Sequence, residues 1–337
     1  MIANNPYNLL LFNGLNKDSS VNLFFTFINE FKTGRIFMKY SDQITEIFVS
    51  IDDFYSEFSH QIKKFKLTST KKQRSRKSTM SPGEIMTIMV LFHLSNNKNL
   101  KHFYLFYVKQ HLKREFPKTV SYNRFVELSQ SILLPLAFYM KMRCQGKCSG
   151  ISFVDSTPLR VCHNRRITSN KVFRDFAQRG KCSMGWFFGF KLHIIVNDKG
   201  ELLNFAITQG NVDDREPLVA GKLLQNIWGK LFGDRGYLSK KLFQTLFFDG
   251  IHLITKIRNN MKNTLMNVND KILLRKRALI ETINDELKNI CQIEHSRHRS
   301  LANFFTNLIA GLVAYSFLPK KPAIKCEFVN TKQLALF

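Results

Sequence analysis

Three carboxylates stand in three unlike settings: Asp155 in GISFVDSTP, Asp234 in KLFGDRGY and Glu281 in RKRALIETINDELK. The first two each close a short apolar run that reads as a strand, and the third lies on a strongly periodic helix. Acids far apart in sequence can therefore meet at one edge of a sheet, which is how a two-metal phosphoryl-transfer site is assembled. Mg2+ and Mn2+ are hard cations that prefer oxygen ligands and keep several waters, so a few carboxylates from separate elements can hold two of them. Two such ions about 3.5–4 Å apart can activate an attacking oxygen and stabilise a leaving one in an in-line displacement at phosphorus. A chain with 25 acidic residues places some at strand ends by chance. The elements that must position the three acids decide between these readings.

The helix carrying Glu281 favours the metal. Arg277 precedes Glu281 by one helical turn and Lys288 follows it by two, so the three side chains project within roughly 60° of one another. Ile280, Ile283, Leu287 and Ile290 recur at spacings of three and four and form a separate apolar stripe able to pack on a sheet. One acid between two bases, beside an apolar stripe, suits a helix that holds a metal while gripping a phosphate backbone. The competing reading is an Arg277–Glu281 surface ion pair worth about 0.3 kcal/mol. Asp285 falls near the same face and is the next candidate ligand, whereas Glu286 is rotated about 140° away.

At this point the chain resembles the DDE transposases of bacterial insertion sequences. Arg277, Glu281 and Lys288 match the end of a Tyr-Arg-Glu-Lys signature found in a large group of them, with Leu274 at the position of the tyrosine. The runs VDSTPL, HNRR, RGKCSMGWFFGFKLH, GNVDDREP, GDRGY and IETINDELKN are similar to one branch, insertion sequence family nine-eight-two, over roughly residues 40–320. The resemblance implies an α/β, RNase H-like mixed sheet flanked by helices and preceded by an all-α DNA-binding region. It implies Asp155, Asp234 and Glu281 as catalytic residues and as ligands of two Mg2+ or Mn2+ ions, with Arg277 and Lys288 on the DNA backbone. It further implies cleavage at element ends followed by transfer of the released 3′-OH into target double-stranded DNA. A homodimer or larger assembly would hold the ends in a bacterial cytoplasm. A nuclease that only hydrolyses, and a relic that binds DNA without cutting it, are the alternatives.

Composition points to a polyanionic partner independently. Against 25 Asp+Glu stand 51 Lys+Arg, a formal charge of +26 and a pI near 9.9, well beyond what solubility asks of a globular chain. At 337 residues and 44% hydrophobic the chain can bury a sizeable core over about two domains. The 32 Phe are ascribed to an AT-rich coding sequence. No basic residue precedes Lys17, which argues against a secretory signal, and the apolar stretch 304–318 is too short to span a bilayer and reads as a core helix. The six cysteines lack the paired CxxC spacing of a zinc site, and reduced thiols are expected.

Four regions are expected: a poorly structured extension over 1–37, a helical, basic, DNA-binding domain over 38–148, the DDE catalytic domain over 149–320, and a tail over 321–337. Met38 reads as a plausible native initiator, with an amphipathic helix at 21–31 as the rival reading of the extension. Helical spacing runs from Ile44 to Phe65 with Ser41 and Asp42 as N-cap candidates. Ser81-Pro82-Gly83-Glu84 matches a capping box with proline at the first helical position, and Pro135 should kink or divide the helix that Ser121 starts. Short helices bearing Lys101, Lys109, Lys113, Arg114 and Arg124 suit a helix-turn-helix-like module. After Gly150 the pattern changes to strands: 151–154, a hairpin of 186–196 and 202–208 around Asn197-Asp198-Lys199-Gly200, a helix over 216–228, a strand over 230–233, a helix over 239–248 and a strand over 252–257. His163, Arg165 and Arg166 are candidate phosphate contacts. Asp213 and Asp214 read as a helix cap, the alternative being acids that support the metal ligands, and Trp186, Phe187 and Phe188 read as sheet packing in preference to a base-stacking platform. Over 63–77 lie eight Lys/Arg and no acid, five of them Lys71, Lys72, Arg74, Arg76 and Lys77. If this stretch binds phosphates, neutralising four of its cations flattens the slope of log affinity against log salt by up to about 0.9 for each phosphate no longer neutralised. An unchanged slope in a salt titration makes it a solvated linker.

Overall fold

The computed structural model describes residues 35–66, 78–95, 97–256, 266–294 and 297–324. Lys71, Lys72, Arg74, Arg76 and Lys77 fall outside them, as does nearly all of the extension. The chain divides into two compact units, Met1–Ser50 and Ile51–Phe337. Helix α1 (Arg35–Lys66) begins in the first and ends in the second. It starts earlier than expected and runs through Ser41 and Asp42 instead of being capped by them, because no Gly or Pro follows Gly34 to stop it. Within the second unit its Phe54 ring meets Tyr139 edge-on at 5.2 Å.

Helix α2 (Pro82–Leu94) is capped as the sequence indicates: the Ser81 hydroxyl accepts from the Glu84 amide and the Glu84 carboxylate accepts from the Ser81 amide. Helix α3 consists of Leu100–His102 and Lys109–His111 on either side of a π-helical segment, Phe103–Val108. Helices α4 (Tyr122–Ser131) and α5 (Leu133–Arg143) are two where one apolar run stood, and Pro135 lies in the first turn of the second, where a missing N–H costs nothing.

The sheet begins with β1 (Ile151–Cys162), twelve residues long, followed by β2 (Gln178–Cys182), β3 (Gly185–Asn197) and β4 (Leu202–Gln209). Strand β3 is antiparallel to β1 on one side, and to β2 and β4, end to end, on the other. Gly200 turns the β3–β4 hairpin with φ +75°, and a Cβ there would lie 2.0 Å from the Pro322 carbonyl oxygen. A short helix α6 (Glu216–Val219) leads to β5 (Gly229–Gly233), then α7 (Lys240–Phe248) to β6 (Ile251–Thr255), both strands parallel to β1. The helix expected over 216–228 is thus one turn long. Gly221 takes a left-handed φ of +71°, and Asn226 takes φ 62° further on, so the chain turns away twice. Helices α8 (Val268–Arg275), α9 (Ala278–Asn289) and α10 (Leu301–Ser316) complete the order. This is a mixed sheet flanked by helices and preceded by a helical region.

One face of the sheet buries Val154, Ile195 and Leu231 against Leu218, Tyr237, Leu242 and Leu246. On the other face Phe153 stacks on Phe232 at 5.4 Å, and α9 lies over β1 with Ile280, Ile283 and Leu287 fully buried. Ile290, expected in that stripe, lies past the helix end and is exposed. Helix α10 is a core helix packed on α2 and α5, and no helix among the described residues is long and apolar enough to cross a membrane.

Candidate active site

Strand β1 does not end at Asp155 as expected. It continues for seven more residues along β3, with Asp155 opposite Ile194. What ends near Asp155 is the pairing with β5, which spans only Ile151–Lys230, Ser152–Leu231 and Phe153–Phe232. Beyond that point β1 has a free edge, where Pro158, lacking an N–H, is tolerated. The same parallel register, carried two residues further, sets Asp155 level with Asp234, the residue directly after β5. Neighbouring strands lie about 4.8 Å apart, so the two acids flank the crevice where the strands part, at the carboxyl end of the parallel pair.

Helix α9 covers that crevice. The Arg277 guanidinium, at its N-cap, pairs with Glu281 (Nη2–Oε1 2.5 Å) and approaches Asp155 (Nη1–Oδ1 3.8 Å). This is more than a surface ion pair, because the Arg277 side chain is only 14% exposed. Its Nη1 is buried without a hydrogen-bond partner. Asn284, one turn after Glu281, donates from Nδ2 to Asp155 Oδ2 at 2.9 Å. Burial raises the Asp155 carboxyl to about 6; Arg277 and the Ser156 amide oppose this rise, while Glu281 and Asp234 add to it. The three acids from β1, the end of β5 and α9 therefore feel one another, with Asp155 at the centre.

Asn284 is the residue that sequence reasoning passed over. Its spacing of three from Glu281 was visible, but an amide carried no metal-ligand signal. Asp285, the alternative acid, is exposed and accepts from Asn289 (2.6 Å). Lys288 faces inward: its Nζ donates to the Pro158 carbonyl oxygen (2.8 Å) and pairs with Glu294 (3.3 Å), whose other oxygen accepts from the Arg160 amide (2.8 Å). The two side chains thereby satisfy the free edge of β1. Leu274 is buried on α8.

Asp213 and Asp214 do not cap α6, whose N-cap is Arg215. Asp213 instead chelates Arg215, through its guanidinium and its amide, and this holds the Asp213 carboxyl down at about 2. Asp214 accepts from Lys191 Nζ (2.9 Å). Beside this pair His193 is buried, its Nε2 bonded to Thr208 Oγ1 (2.8 Å), and burial lowers its ring to about 4. His163, Arg165 and Arg166 are exposed on a 3-10 turn at the far end of β1, roughly 25 Å along the strand from Asp155. Among the described residues no three His, Cys, Asp or Glu side chains already converge as a ligand set, and the five cysteines there are free thiols.

An acid whose native pKa is raised keeps its proton while the unfolded chain loses it, so stability falls as pH rises through that window. In metal-free protein the stability of Asp155→Asn relative to wild type should climb by up to about 3 kcal/mol between pH 3.8 and about 6, and level off above. Urea unfolding across that range measures it, and a flat difference contradicts the burial of this charge.

Residues 145–301 match a family model described as "Transposase DDE domain". No curated protein matches the chain. Among solved structures, a piggyBac transposase synaptic complex with hairpin DNA is similar at 10% identity, with 81% of this chain and 72% of that one covered and a TM-score of 0.43. A Mos1 transposase paired-end complex with left transposon end is similar at 12% identity, with 58% and 65% covered and a TM-score of 0.20. The family match spans Asp155, Asp234 and Glu281, and over residues 145–301 the chain is similar to transposase DDE domains.

Proposed function

We propose that the protein cleaves DNA at the ends of a mobile element and transfers the released 3′-OH into target DNA, with Asp155, Asp234 and Glu281 as its catalytic acids. The observation that carries this reading is the register of β1 on β5, which levels Asp155 with Asp234 under the helix that bears Glu281. The donor set fits divalent metal: all three side chains offer hard oxygen, and the raised Asp155 carboxyl marks a place where negative charge is under-compensated. When bound, two Mg2+ or Mn2+ ions supply Lewis acidity toward the scissile phosphate and toward the attacking oxygen.

The chain's own residues do the rest. The Asn284 amide and the Ser156 N–H fix the Asp155 carboxylate in one orientation. Glu281, 59% exposed, can swing from Arg277 toward the two aspartates, which frees that guanidinium to pair with a phosphodiester. Lys288, engaged with Pro158 and Glu294, acts by holding the β1 edge and α9 together. The +26 charge supplies sequence-independent grip on double-stranded DNA.

Replacing Asp155, Asp234 or Glu281 by its amide should abolish Mn2+-dependent nicking and joining of DNA carrying the element's own ends, a loss of at least about 100-fold, while DNA binding stays within a few-fold. Gel assays of cleaved and joined products measure both. Nicking that survives in Glu281→Gln but is lost in Asp285→Asn assigns the wrong acid on α9, and hydrolysis without any joined product restricts the protein to a nuclease.

A further inference from the structure

At the far end of the ribbon that carries Asp155, β2 and β3 form a hairpin that the acids do not use. Its tip is Ser183-Met184, followed by Gly185 at φ +106°. Trp186 does not pack in the sheet with Phe187 and Phe188 as the sequence suggests. Those two are buried, but Trp186 is 62% exposed and Met184 81%. Lys181 pairs across the hairpin with Trp186, and its Nζ lies 6.0 Å from the indole ring centroid. Asn164 Nδ2 donates to the Trp186 carbonyl oxygen (2.8 Å), tying the turn that bears Arg165 and Arg166 to the same spot.

The surroundings are one-sidedly basic. Over 160–189 the chain carries seven Lys/Arg against the single acid Asp175, all seven are exposed, and none forms an ion pair with a described residue. Lys181 beside the ring, with Arg165 and Arg166 on the tied turn, sets cations next to an uncovered indole, an arrangement that suits a polyanion with flat bases. We propose that the β2–β3 hairpin is a second DNA-contacting element, in which Lys181, Arg165, Arg166 and their basic neighbours take the phosphates and Trp186 stacks on an unpaired base. This rests on the transposition reading for the presence of DNA but not on the metal chemistry. Trp186 lies eight residues along β3 from Ile194, the partner of Asp155, which is about 26 Å. The hairpin therefore acts at a distance from the reacting phosphate, and its loss is read in affinity.

The chain has two tryptophans, so Trp228→Phe leaves Trp186 as the sole indole. Full-length Trp228→Phe protein is titrated with a labelled plain duplex and with the same duplex ending in a short unpaired fork, following both indole fluorescence and anisotropy. The proposal expects Trp186 emission to be quenched by the forked DNA. Adding Trp186→Ala should weaken forked DNA about tenfold while plain duplex changes less than about twofold, and Trp186→Phe should recover most of the loss. Forked DNA held equally well by Trp186→Ala, with no quenching in the parent, overturns the proposal and leaves the transposition reading standing. A Trp186→Ala protein whose self-association changes while its DNA affinity does not also overturns it, in favour of a contact between copies. Binding of neither DNA overturns both readings together.

Discussion

The site depends on one register. Strand β1 pairs with β5 over three residues only, in a frame that brings Asp155 level with Asp234 as the two strands part. A slip by a single residue would send one of the acids to the opposite face of the sheet. The frame is held by the Phe153–Phe232 stack on one face and by Val154 and Leu231 in the core on the other. The two acids are thus placed by apolar packing one to three residues away from them.

That placement creates an electrostatic problem, and the structure answers it locally. A carboxylate buried near two other acids is unstable unless something positive or hydrogen-bonding meets it. Arg277 and Asn284 do so from α9, one as a partial charge match at 3.8 Å and one as a direct donor. The guanidinium bridges Asp155 and Glu281 much as a cation would, yet leaves one nitrogen without a hydrogen-bond partner. A site satisfied only in part by its own arginine is one that a stronger cation can take over.

Much of this was legible in the sequence because it is written in short-range chemistry. The capping box at Ser81, the division of a helix around Pro135 and the hairpin turn ending in Gly200 each follow from a few adjacent residues. The acids at Asp155 and Asp234 were marked by the apolar runs before them. What was not legible depends on partners distant in the chain. The length of β1 is set by β3, and its free edge by Lys288 and Glu294, so Asp155 read as a strand end when it is mid-strand. Asn284 acquires its role only when α9 lies over β1. Trp186 has the composition of a packed strand residue, and it is exposed because no described element lies over the hairpin tip.

The central claim is that Asp155, Asp234 and Glu281 form one cation site. A ligand that binds the native state alone raises its stability with the logarithm of its concentration, by about 2.7 kcal/mol at a hundred times its dissociation constant. Thermal unfolding with increasing Mn2+ should therefore raise the midpoint of wild type and of Asp285→Asn. It should leave Asp155→Asn, Asp234→Asn and Glu281→Gln nearly unmoved. A midpoint that climbs as steeply in Glu281→Gln as in wild type would contradict the account and place the cation elsewhere.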